Sequence, residues 1–120
     1  MLYKREYDSD ESMSMLLRVE ILRVKIEQHV LDMIEHRVSD EEKKRINWKV
    51  ERNFHNLLNI LKSNRYDSRA LALETEKSLI FFDRLVMKVK SSMTRRILQE
   101  NVKVLREVMD EKETLGKSDF

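Results

Sequence analysis

The sequence predicts an all-α fold, an antiparallel bundle of three to four long helices in a single domain spanning residues 1–120. Three observations carry that expectation. The chain holds one glycine, Gly116, and no proline, so the residues that break helices are nearly absent. Apolar residues recur at three-and-four spacing along most of its length. Polar stretches rich in cap and turn formers interrupt that spacing at a few defined places.

Taken in order, residues 1–9 form an expected flexible segment, and Ser9 or Asp10 can cap a first helix beginning near Glu11. That helix carries two apolar rows. One reads Met13, Leu16, Leu17, Ile21, Val24, Leu31, Ile34 and Val38; the other reads Met15, Val19, Leu22, Ile26, Val30 and Met33. Together they make a stripe wider than one neighbour covers, so helix one is expected to pack against at least two partners. The strongest local signal follows at Ser39-Asp40-Glu41-Glu42, which has the Ser-x-x-Glu form of a capping box. Its acids also suit the positive end of the helix dipole.

Helix two then shows Ile46, Val50, Phe54, Leu57, Leu58 and Leu61 on one row, with Trp48 and Ile60 off it. The polar run Ser63-Asn64-Arg65-Tyr66-Asp67-Ser68 marks the next turn. Residues 69–115 contain no breaker, and one helix of that length would reach about 70 Å. Its apolar row (Leu79, Phe82, Val86, Val89, Met93) loses phase near Ser91-Ser92-Met93-Thr94 and resumes as Leu98, Val102, Leu105 and Met109. The slip predicts a break into helices three and four. Without the break, a long-helix structural homodimer becomes the expected form. Gly116 is placed to end the last helix, leaving a frayed tail over 116–120.

Composition excludes several function classes. With no cysteine there is no thiolate chemistry, disulfide or cysteine zinc site. A net charge of +2 gives no reason to expect a nucleic-acid partner, and the basic stretch Arg84, Lys88, Lys90, Arg95, Arg96 reads as a solvated helix face. The longest clean apolar run, Leu79-Ile80-Phe81-Phe82, is far short of a membrane span. The start of the chain lacks the apolar stretch of a secretory signal, so a cytoplasmic location is expected.

Candidate chemistry is sparse. His29, Asp32 and His36 share a helix face, yet a metal needs further ligands and His55 is the only other histidine, so no metal or cofactor is expected. Arg23 and His29 stand in an Arg-x5-His spacing that resembles helical endoribonucleases of the HEPN type. That resemblance implies RNA cleavage with the pair facing a basic cleft. Residues 26–37 resemble the helical chorismate mutases, without a matching set of cationic and glutamine positions downstream. The apolar residues off the main rows carry more: Trp48, Ile60, Phe81 and Met87, in a chain with seven methionines. Thioethers and off-row aromatics suit a groove that receives a partner helix.

The run Ser9-Asp10-Glu11-Ser12-Met13-Ser14-Met15-Leu16-Leu17-Arg18-Val19-Glu20-Ile21 resembles the opening of the first long helix in the flagellin-specific export chaperones, the FliS family. Ser9, Glu11, Met13, Leu16 and Leu17 match that pattern, and Asp10 stands where the family has proline. Phe81-Phe82-Asp83-Arg84 and Leu105-Arg106-Glu107-Val108 are similar to two later signatures. The resemblance implies a non-catalytic cytoplasmic chaperone that covers an apolar segment of a client such as the flagellin C-terminus. Its expected partner-binding residues are Met13, Leu16, Ile21, Trp48, Phe81 and Met87, and a homo-oligomer is an open possibility.

Overall fold

A computed structural model describes residues 2–118, with side-chain surroundings from 13 to 112. Four helices follow one another: α1 (Leu2–Glu35), α2 (Asp40–Leu61), α3 (Ser68–Lys88) and α4 (Ser92–Ser118). No strand occurs among the described residues. The connections are short, which folds consecutive helices back on each other. The α1–α2 and α3–α4 hairpins then pack together through α1 with α3 and through α2 with both α3 and α4.

Local chemistry explains each boundary. At the start of α2, Ser39 Oγ accepts a hydrogen bond from the Glu42 amide at 3.2 Å, and Asp40, Glu41 and Glu42 occupy the first turn. At the start of α3, Asp67 Oδ2 accepts from the Ala70 amide at 3.3 Å. The break between α3 and α4 falls where the periodicity slips. Val89 is extended there (φ −88°, ψ 125°), with its side chain buried. Its carbonyl, released from the helix ladder, accepts from the Arg95 guanidinium through Nε at 3.1 Å and through Nη2. A long-range cap of this kind ends a helix without proline or glycine.

Both ends of the chain depart from expectation. α1 begins at Leu2, so Ser9 and Asp10 lie inside the helix and do not cap it, and residues 2–9 are helical. Nothing between 2 and 11 breaks a helix, and a good cap residue starts one only where the preceding chain leaves it. Gly116 does not stop α4, which continues to Ser118, and no glycine takes positive φ. Interior glycine costs a helix about 1 kcal/mol, which weakens it without ending it. The remainder of the expected frayed tail, residues 119–120, lies outside the described residues.

The core is a file of fully buried side chains: Met15, Val19, Ile26 and Val30 from α1, Val50, Phe54, Leu57 and Leu61 from α2, Leu71 and Phe82 from α3, Leu98 and Leu105 from α4. Phe54 and Phe82 meet at its centre with ring centroids 4.6 Å apart. On α3 the buried side differs from the apolar row expected there, because Glu74, Thr75 and Ser78 are buried while Leu79 and Val86 are only half-buried. Thr75 and Ser78 manage this by donating their hydroxyls to the carbonyls of Leu71 and Glu74, each at 2.7 Å. Met93, the last residue of that expected row, is exposed.

Candidate protein-interaction surface

Helix α1 carries six of the eleven exposed large apolar side chains among the described residues. Its second apolar row faces the core. At about 100° per residue, the first row falls on the far side of the same helix, where Leu31 is half-buried and the other members within α1 are exposed. Met13, Leu16, Leu17, Ile21, Val24 and Ile34 are all exposed. As expected, α1 packs against at least two helices, α2 and α3, and Met33 also reaches Thr94 of α4; the Met15–Val30 row is buried against the bundle while most of the outer row stays exposed.

Of the residues expected to bind a partner, Met13, Leu16 and Ile21 lie on this outer α1 face. Trp48 is exposed on α2, where the Arg52 guanidinium stands over its ring at 5.3 Å. Met87 is 85% exposed on α3, where it continues a sparse file with Leu73 and Ile80 at seven-residue intervals. Phe81 is half-buried, edge-on to Phe82 at 5.1 Å. Sequence reasoning did not single out Leu17, Val24 and Ile34. Their signal lies in the doubled apolar row.

The polar seam between α1 and α3 is built around a buried carboxylate. Arg23 Nη1 lies 3.1 Å from Glu74 Oε2 and donates to Ser78 Oγ at 3.3 Å, while Lys77 Nζ donates to Glu74 Oε1 at 3.5 Å. The Arg23–Oε2 contact is off the line of a hydrogen bond, so charge rather than hydrogen bonding compensates that oxygen. A second polar tie joins α4 to α2 and α1: the Thr94 hydroxyl donates to Asn47 Oδ1 at 3.0 Å and lies 3.9 Å from Met33 Sδ. Arg23 thus serves a structural pair, and His29, six residues on and about a third of a turn around the helix, lies on the side of α2. Burial and the Lys49 charge lower the pKa of His29 below 6.5, with Asp32 opposing.

Two shallow cavities flank the bundle. One of about 290 Å³ between α3 and α4 is rimmed by Asp83, Lys103 and Arg106, with Arg106 Nη2 donating to both Asp83 oxygens at 3.1 Å. Another, of about 370 Å³, lies where the ends of α1 and α3 meet the starts of α2 and α4, beside Ile34, Lys43 and Lys90. Neither is lined by the six expected partner residues. In the basic stretch, Arg95 is spent on the Val89 carbonyl and Arg96 pairs with Glu100 at 3.3 Å. Among the described residues no cluster of His, Asp or Glu could hold a metal ion, and no helix is long and apolar enough to cross a membrane.

The chain matches no protein-family model, no curated protein and no solved structure.

Proposed function

We propose that this chain is a non-catalytic protein-binding module that receives an amphipathic helix on the outer face of α1. One observation carries the reading: α1 is apolar on two faces, and the bundle covers only one of them. Exposed apolar surface of this extent marks a binding site, and a row of anchors at three-and-four spacing fits a helix laid alongside. In its narrower form, supported by the resemblance around residues 9–21, the module is a cytoplasmic export chaperone whose client is a disordered segment such as the flagellin C-terminus. The client would then order as it binds, at a cost that limits its affinity.

Fluorescence anisotropy with a labelled flagellin C-terminal peptide and with an unrelated amphipathic helical peptide tests this. The chain is expected to bind, and the double substitution Leu17→Glu/Val24→Glu is expected to weaken binding at least tenfold, about 1.4 kcal/mol. Affinity unchanged by that substitution would move the site elsewhere. Preference for the flagellin peptide over the unrelated one would support the narrower form.

A further inference from the structure

The outer face of α1 reads as half of a two-stranded coiled coil, and we propose that its occupant is α1 of a second copy of this chain, aligned in parallel about a two-fold axis. This deepens the reading of that face as helix-binding and rests on it. The break at Val89 removes the long-helix route to a homodimer, so the inference stands on α1 alone.

The first support is the spacing. Leu17, Ile21, Val24, Gln28 and Leu31 alternate by four and three, the seam of a heptad repeat. Leu17, Ile21 and Val24 are exposed, and Leu31 is half-buried. The one polar member, Gln28, is exposed as well. In a parallel two-fold pair it meets its own copy, and its amide can both donate and accept there, which sets register.

Charge supplies the orientation. Glu20 and Glu27 line one flank of the seam, and Arg18 and Lys25 line the other. A two-fold axis parallel to the helices brings opposite flanks together, so Glu20 of one copy lies beside Lys25 of the other. An antiparallel pair brings like flanks together, setting acid against acid and base against base. Asp32, at the end of the basic flank, is the one residue out of sign for the parallel form.

Exposed apolar surface agrees: Leu17, Ile21 and Val24 leave 58%, 44% and 42% of their surface open along this seam, surface that a second copy would cover.

The test uses the natural chain and two single-cysteine variants, which is clean because the sequence has no cysteine. Light scattering is expected to give twice the chain mass of 14.5 kDa at concentrations up to about 100 µM. Leu17→Cys and Leu31→Cys, each alone, are expected to cross-link on oxidation, because a parallel two-fold places each residue opposite itself. In an antiparallel pair centred on Val24, each residue would lie roughly 21 Å from its own copy. Only a mixture of the two variants would then cross-link, and that result overturns the parallel arrangement. A single-chain mass throughout overturns self-pairing altogether. If that monomer still binds an amphipathic peptide through Leu17 and Val24, the protein-binding reading survives; if it binds none, both fall.

Discussion

Arg23 and Glu74 are the most sensitive pair in the molecule, because both side chains are withdrawn from water at the α1–α3 seam. Removing the cation alone leaves a buried carboxylate with only Lys77 at a long 3.5 Å. Arg23→Ala is therefore expected to cost about 3–5 kcal/mol, measured by urea unfolding. The double substitution Arg23→Met/Glu74→Leu should recover most of that loss, since apolar replacement of a buried ion pair is often neutral or better. Recovery would identify the pair as a device for helix register rather than net stability. His29 supplies a second residue-scale expectation. Its folded pKa lies below 6.5, from burial first and Lys49 second, with Lys25 adding and Asp32 opposing. The unfolded chain thus binds the proton more readily, so the contribution of His29 to stability is fully present above 6.5 and is lost as pH falls toward the depressed folded value. Between about pH 7.5 and about pH 5, the urea midpoint of His29→Gln should fall less steeply than that of the natural chain.

At the scale of elements, legibility followed the kind of signal. The α2 start was readable because capping is local: Ser39 and Glu42 are three residues apart, and the Glu42 amide donates to Ser39 Oγ. Ser39→Ala should cost about 1 kcal/mol, read from thermal unfolding with helix content unchanged at low temperature. The α3–α4 break was readable from the slip in apolar phase, but its stabilising bond from Arg95 to Val89 was not, since six residues separate donor and acceptor without a named motif. The two chain ends misled for the reverse reason. Ser9, Asp10 and Gly116 are good terminus residues, and what they do depends on whether neighbouring residues also leave the helix. Here they do not. On α3 the buried side was hidden by Glu74, Thr75 and Ser78, whose burial depends on partners in α1 and on their own preceding carbonyls.

At the scale of the whole molecule, the helical-bundle architecture was visible in the sequence and the proposed interaction surface was visible in outline only. The doubled apolar row on α1 was plain. Deciding which row faces inward needed the bundle, because both rows have helical spacing and only packing distinguishes them. Five of the six side chains expected to bind a partner are exposed, yet they belong to three helices, and the outer α1 face collects only Met13, Leu16 and Ile21. The radius of gyration of 16.2 Å exceeds the about 13.6 Å of a compact domain of this length. Covering the outer α1 residues is expected to contribute about 1.5–3 kcal/mol for each large side chain fully buried, so two charged substitutions there should abolish association while leaving the fold intact.

The most direct measurement is the solution mass of the natural chain beside Leu17→Glu/Val24→Glu, with circular dichroism on both. The account predicts a dimer that falls to a single chain, with equal helix content in the two proteins. Equal mass in both, together with equal affinity for an amphipathic helical peptide, would contradict it.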